Sequence, residues 1–483
     1  MAIAVAVRDV AFHMRNVRTR MPFRYGVATL TSVPILHVTL TAELAAGGIA
    51  TGYAADILPP KWFDKDPAKD YADNVDDLLF VARAAAEALC ETGQQPGSVF
   101  ALWRQVYDAT LAAGDGRGLN HLTASHGCTL MERALIDAVG RGTQRSYHQL
   151  LRAAENPLGI DLSQIQPSLA GIDVADVVAA TPSASIAVRH TVGLTDPIED
   201  ADIPAEDVLN DTLPQSLQAY IRAQGLTHFK VKIQGDADHD LERLRQIAAL
   251  VDQDVEGAVI SLDGNEQYTD LSTFESLLGR VESELPSFYE AITYIEQPLE
   301  RSVALDPSQG DSIRGISEKK AMVVDESDGD LDTFRQAIDL GYRGVSTKNC
   351  KGVLKALANT ALAQQRSRDG ATLFLTAEDL MNLPVVPLQQ DLTHIAALGL
   401  DHAERNGHHY VRGLDHLTPS ECEACLSEHG DLYTRNTTGM SHLAVCNGRI
   451  DVTGLQVPGL GIGTDTVDTT SMIPLADWRF DSL

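Results

Sequence analysis

Six charged residues at regular intervals mark the middle of the chain. They are Lys230 and Lys232 in FKVKI, Asp263 in LDGNEQ, Glu296 in YIEQP, Asp325 in VVDES and Lys348 in VSTKN. Each stands in or closes a short β-like run, and the gaps from 232 to 263, 296, 325 and 348 fit a strand, a helix and two loops. Charges that recur once per βα unit, at strand C-terminal ends, belong to the reactive face of a (β/α)8 barrel. Three carboxylates there would hold a hard divalent cation through oxygen ligands. Such a cation would bind a substrate carboxylate and stabilise the dianion left by loss of its α-proton. The lysines would carry that proton. A lysine beside a cation and other lysines, partly desolvated, is expected to have its pKa lowered towards the working pH.

Strand alternation puts Lys230 and Lys232 on one face and Phe229, Val231 and Ile233 on the other. Two lysines inside a barrel need acids or an anion to compensate them. On the following strands Asn265 shares a face with Asp263, and Tyr294 with Glu296. Glu326 directly follows Asp325 and would replace it as a ligand if the strand were offset by one residue. Lys348 closes the sixth strand, across the ring from the lysine pair, whereas Lys351 and Lys355 are expected to face outward from the next helix. The seventh and eighth units, TLFLTAEDLMNLP and LDHAERNGHHYVRGL, carry Glu378, His402, Glu404, His408, His409 and Arg412. Specificity commonly resides on such strand-end loops. Asn265, Glu326, Glu378, His402 and Glu404 are therefore candidates for substrate binding.

These groups need a frame. Residues 1–58 read as an antiparallel meander, with the loop-like MPFRYGVATLT between its first two strands. Residues 70–141 read as helices, and 184–194 as the first barrel strand. With a net charge of -29, nucleic acid is a poor partner. No run of about 18 apolar residues predicts a membrane span, and the first residues lack the pattern of a signal peptide. A cytoplasmic location is the expectation. The six cysteines show no disulfide framework, and Cys422 and Cys425 sit in a stretch that reads as an ordinary helix rather than a zinc site.

The fragments together resemble the enolase superfamily, and most of all its muconate-lactonizing branch in the mandelate racemase/muconate lactonizing enzyme family. The resemblance rests on Lys230-Val231-Lys232, Asp263, Glu296, the Asp325 of DES and the lone Lys348. It implies a Mg2+-dependent enzyme with Asp263, Glu296 and Asp325 on the metal and Lys230, Lys232 and Lys348 as catalytic residues. It also implies a mobile lid at Arg24 and Tyr25. The implied architecture is α/β: a TIM-like barrel over 184–440 under an α+β capping domain. The cap comprises 1–140 and a tail, 441–483, that returns to it, with DVTGLQVPGLGIG as the core of the return strand. Lys348 stands where mandelate-type racemases carry the Asp of a His/Asp pair, which excludes that version. The expected reaction is racemisation, epimerisation or cycloisomerisation of a small-molecule carboxylate through an enolate. An acid-sugar dehydratase, with an acid drawn from the histidines at 402–409, is the second reading. A non-catalytic binding protein on the same barrel is the third, and the intact set of acids and lysines argues against it. A homo-oligomer is expected, with the bulky 60–130 region offering a contact surface.

Overall fold

Alternating apolar residues at the N-terminus build three long strands, β1 (Val5–Tyr25), β2 (Ala28–Leu44) and β3 (Ile49–Ile57), paired antiparallel in that order. The computed structural model describes residues 2–45, 47–368 and 372–483. MPFRYGVATLT is not a loop. It is the far end of the β1–β2 hairpin, with Phe23 opposite Leu30 and Tyr25 opposite Ala28 after a register shift between Arg18 and Phe23. Pro22 and Gly26 read as loop signals, yet the turn needs only Gly26 and Val27, and Gly26 adopts φ +48° there.

Three helices back this sheet: α1 (Tyr71–Thr92), α2 (Val99–Arg117) and α3 (His121–Thr143). Each starts where a polar side chain takes up an orphan backbone N–H: Asp70 for Asp73, Ser98 for Ala101 and Asn120 for Thr123. α3 is buried from Leu122 to Gly140 because it packs on β2 and β3, on α1 and α2, and on the barrel helix Val353–Arg368. Small residues allow this. A Cβ on Gly127 would lie 2.0 Å from the Val81 carbonyl oxygen, and one on Gly52 would lie 2.1 Å from that of Ala134.

The barrel is β4 (Ser185–Val192), β5 (His228–Lys232), β6 (Val259–Asp263), β7 (Ile292–Glu296), β8 (Ala321–Val324), β9 (Gly344–Thr347), β10 (Phe374–Ala377) and β11 (His402–Arg405). All run parallel in sequence order, and β11 pairs with β4 to close the ring. A small hairpin, β12 (Tyr433–Arg435) and β13 (Ser441–Leu443), follows, and β14 (Arg449–Asp451) adds antiparallel to β4. Cys422 and Cys425 lie in the helix Pro419–Glu428. Among the described residues no helix is long and apolar enough to cross a membrane.

The return to the cap differs from the expectation. DVTGLQVPGLGIG is no strand beyond Asp451. It runs irregularly along α3, where Leu460 N–H donates to Asp137 Oδ1 at 2.7 Å and Arg141 to the Ile462 carbonyl at 2.8 Å. A Cβ on Gly140 would lie 2.6 Å from the Gly459 Cα, so the two backbones touch. Its Pro and Gly residues suit this close seam better than a ladder. The strand that rejoins the cap sheet lies further on, β15 (Ile473–Pro474), which pairs with Met14 and His13 of β1.

The glycine contacts predict opposite effects of one substitution. Gly127→Ala drives a methyl into the α1 backbone and is expected to cost about 1–3 kcal/mol. Gly116→Ala, on the exposed side of α2 with open space around it, is expected to gain about 0.5–1 kcal/mol. Denaturant midpoints of the two variants check this.

Candidate active site

The barrel floor is organised by one ammonium. β5 is buried on both faces, so Lys230 points into the ring with no route to solvent. Its Nζ donates to Glu296 Oε1 at 2.9 Å, Glu378 Oε2 at 2.8 Å and Glu404 Oε2 at 2.9 Å, and stands 2.9 Å from Asp263 Oδ2. Glu296 Oε2 is 2.7 Å away but lacks hydrogen-bond geometry. Burial pulls the Lys230 pKa down, yet the four carboxylates outweigh it and hold the ammonium well above the ordinary lysine value. Arg189 of β4 pairs with Glu378 and donates to the Ala377 carbonyl at 2.9 Å, and the Tyr294 hydroxyl donates to Glu378 Oε1 at 2.8 Å.

Above this floor opens a cleft lined by Lys232 and Lys348. Lys232 Nζ donates to Asp263 Oδ2 at 2.5 Å and Lys348 Nζ to Asp325 Oδ2 at 2.6 Å. The Ser346 hydroxyl donates to the other Asp325 oxygen. Burial lowers the Lys348 pKa, but Asp325 overcomes it, so Lys348 lies above its ordinary value rather than near neutrality. The lowered value expected from the sequence neglected that ion pair. Asp325 is pushed up by burial and pulled further down by Lys348 and Lys351, and ends far below the carboxylate range. Glu326 is buried too, but accepts from Asn265 Nδ2 at 3.0 Å, and burial followed by Asp325 pushes it up to about 7.

Lys351 and Lys355 face inward, against expectation. Lys351 Nζ donates to the Asp325 carbonyl at 3.1 Å and to Ser346 Oγ at 2.8 Å, and both lysines lie 2.9 Å from Asp328 oxygens. The turn that carries Lys351 and the helix that carries Lys355 both pack on α3, and buried Asp328 requires cationic partners. The same packing fixes Lys348. Gly352, at φ +102°, sits against Glu132 of α3, whose Oε1 accepts from Val353 N–H at 2.5 Å at the start of that helix.

The cap supplies the roof. Phe23 and Tyr25 line the cleft, while Arg24 between them is exposed, as strand alternation requires. Arg24 is thus removed from the site and Phe23 takes its place. Phe23 stacks on Tyr410 at 4.1 Å between centroids, and the Tyr25 hydroxyl donates to the Pro60 carbonyl at 2.8 Å. Trp62 stands with its ring centroid 4.4 Å from Lys348 Nζ. Arg301 donates to the Trp62 and Phe63 carbonyls at 2.9 and 2.8 Å and pairs with Glu266, which also holds Lys65 of the cap.

Other expected residues lie elsewhere. Glu404 and Asn265 line the cleft, but Glu378 is committed beneath it. His402 opens β11, at the opposite end of the barrel from the mouth, and its Nδ1 lies 2.7 Å from Arg189. His408 and His409 pack with His190 and Tyr220. Arg412 is exposed beside Asp415. Sequence reasoning missed Phe23, Trp62, Leu380, Met381 and Asn406, which line the cleft. Leu380, Met381 and Asn406 follow strand ends and were within reach of the barrel rule; Trp62 carries no periodic signal.

The donor set at the mouth fits a hard divalent cation. Asp263, Glu296 and Asp325 offer carboxylate oxygens from three neighbouring βα units. Glu296 is pushed well above its ordinary pKa by burial, then by Asp263 and Glu378, which marks a place short of positive charge. Among the described residues no three such side chains are already arranged as a cage; the lysine ammonium groups hold these carboxylates instead.

A family model described as enolase C-terminal domain-like matches residues 212–467. No curated protein sequence matches the chain. Among solved structures, the muconate lactonizing enzyme of Pseudomonas fluorescens complexed with muconolactone is 16% identical, with 95% of this chain and 97% of that chain covered at a TM-score of 0.58. The N-succinyl Arg/Lys racemase of Bacillus cereus ATCC 14579 is 16% identical over 96% and 97% of the two chains, also at 0.58. A dipeptide epimerase of Enterococcus faecalis V583, complexed with Mg and L-Leu-L-Tyr, is 13% identical over 95% and 100%, at 0.58. Identities this low establish likeness of fold.

The Glu132 anchor carries a pH signature. Burial raises its pKa from 4.5 to about 8. Between those values the folded state binds the extra proton, so Glu132 makes stability fall as pH rises through that window, by at most about 1.4 kcal/mol per pH unit. Glu132→Gln keeps an acceptor for Val353 N–H and is expected to flatten this part of the profile. Unfolding midpoints of both proteins between pH 5 and about 8.5 provide the check.

Proposed function

We propose, for a chain that belongs to the enolase superfamily in its muconate-lactonizing branch, that this enzyme removes the α-proton of a carboxylate substrate and returns a proton to complete a racemisation, epimerisation or cycloisomerisation. The observation that carries this reading is the pair of lysines in one cleft. Lys232 ends β5 and Lys348 follows β9, four strands apart in an eight-stranded ring, and both line the same space. Two ammonium groups so placed address a bound carbon from two sides.

A magnesium ion held by Asp263, Glu296 and Asp325, with manganese as the alternative, would supply the positive charge that stabilises the developing dianion. Lys232 acts as base on one face. Lys348 donates from the other face, and acts as base there when the opposite stereoisomer is bound. Lys230, caged by its four carboxylates, sets the charge of the floor rather than meeting substrate. Phe23, Tyr25 and Trp62 exclude water above the reacting carbon, which strengthens every electrostatic contact below. The dehydratase reading is less well supported, because the histidines it requires do not line the cleft.

Lys232→Met and Lys348→Met are each expected to lower turnover by about 10²–10³-fold or more, the scale of a lost stabilising donor. Each should still exchange the α-proton of one stereoisomer with D2O, and the two variants should exchange opposite stereoisomers. NMR of single-isomer substrates reads this, and full activity in the double variant would remove both lysines from the mechanism. For the metal, Mg2+ at a hundred times its Kd is expected to stabilise the wild-type fold by about 2.7 kcal/mol, with the effect abolished in Glu296→Gln. Thermal unfolding with and without chelator is the measurement.

A further inference from the structure

We propose that Asp196, on the loop after β4, is a positioning residue that holds Phe23 over the cleft through Tyr410. The proposal rests on the reading of that cleft as the reactive site, and it concerns how the roof is kept in place. Phe23 stands near the far end of the β1–β2 hairpin, where Arg24 and Val27 are exposed and add no packing of their own. A hairpin end so thinly packed needs an anchor from the barrel. The ring of Tyr410 supplies it, stacked on Phe23 with 4.1 Å between centroids and 24° between planes.

Tyr410 is itself fixed by Asp196. Its hydroxyl donates to Asp196 Oδ2 at 2.5 Å, the same oxygen accepts from Gly193 N–H at 2.7 Å, and His409 Nε2 stands 3.2 Å from it. Both Tyr410 and Asp196 are buried, and a buried carboxylate holds such donors more strongly than a neutral acceptor would. The loop that carries Asp196 is pinned in turn. Arg243, of the helix Ala237–Asp254, donates to the Gly193 carbonyl at 2.6 Å and to the Asp196 carbonyl at 2.9 Å. Gly193 permits the approach, because a Cβ there would lie 2.6 Å from the Tyr410 hydroxyl oxygen and 2.9 Å from Asp196 Oδ1.

Two further bonds run from the same loops to the lid strand. Leu194 N–H donates to the Arg24 carbonyl at 3.4 Å, and Arg20 donates to the His409 carbonyl at 3.2 Å. The loops after β4 and β11 adjoin where the ring closes, and together they clasp β1. Neither Asp196 nor Tyr410 lines the cleft, whereas Phe23 does. Their effect on the site therefore passes through Phe23. This also gives the run after β11 a role other than substrate binding: His409 and Tyr410 face Asp196.

The test reads the roof rather than turnover, so its failure and a failure of the lysine reaction are separate results. Leu380→Cys places a thiol on the wall of the cleft that Phe23 roofs. Alkylation of that thiol by iodoacetamide, followed by peptide mass spectrometry, measures how often the roof opens. In this background Phe23→Ala is expected to speed alkylation; if it does not, Phe23 is no roof and the proposal falls. Tyr410→Phe, which keeps the stacking ring, and Asp196→Ala are each expected to speed it on the order of tenfold, the scale of one lost bond to a buried carboxylate. The double variant is expected to add little to Asp196→Ala alone, because both remove the same bond. Asp137→Asn, which weakens the seam of α3 with β3 and the tail, is expected to lower the unfolding midpoint and leave the rate unchanged. An unchanged rate in Tyr410→Phe, or an equal acceleration in Asp137→Asn, overturns the proposal. If Asp196→Ala does not fold, Tyr410→Phe decides alone.

Discussion

Everything at the mouth of this barrel depends on the compensation of Lys230. A buried ammonium and its carboxylates give up hydration that only good mutual geometry can replace, and removing one partner typically costs about 3–5 kcal/mol. Here the partners come from β6, β7, the end of β10 and β11, and Arg189 of β4 completes the set through Glu378. Closing the ring and neutralising its centre are therefore one event. β11 must pair with β4, with Glu404 opposite Arg189 in the ladder, for Lys230 to be satisfied. The register of the strands is fixed as much by charge as by apolar packing.

That compensation also explains what was legible in the sequence. The side-chain period of a strand is two, so KVK places both lysines on one face in any fold that buries Val231. The recurrence of one acid or lysine per βα unit then identified the reactive end. The direction of Lys351 and Lys355 was not legible, because it depends on Asp328 and on α3, which no local pattern announces. His402 misled for a related reason. It is polar and belongs to the eighth unit, but it opens its strand and Glu404 comes two residues nearer the mouth. The cap hairpin was read as a loop because Pro and Gly are turn signals. Its strands tolerate both, with Pro22 at the register shift and Gly26 in the turn itself.

The roof and floor are not independent parts. Glu266 follows β6 and Arg301 follows β7, and together with Lys65 they clasp the loop that carries Trp62. Trp62 in turn stands over Lys348. The loops next to the candidate metal ligands Asp263 and Glu296 thus also position the aromatic ring above the opposite lysine. Preorganisation of this kind costs no reorganisation when the substrate enters.

The seam between β1 and β15 has a consequence for how the molecule comes into being. His13 pairs with Pro474, Asn16 accepts from the Trp478 indole at 2.8 Å, and Asn16 donates to the Ser482 carbonyl at 2.9 Å. During synthesis the first strand therefore emerges long before its edge partner exists. Residues of the barrel leave the ribosome in the interval, so the reactive floor can assemble while the lid still lacks its last strand. Pairings so distant in sequence are slow to form. The outer edge of the cap sheet is then the last feature the chain completes, and a nascent or prematurely terminated copy lacking residues beyond 472 leaves His13 and Met14 of β1 without their edge partners.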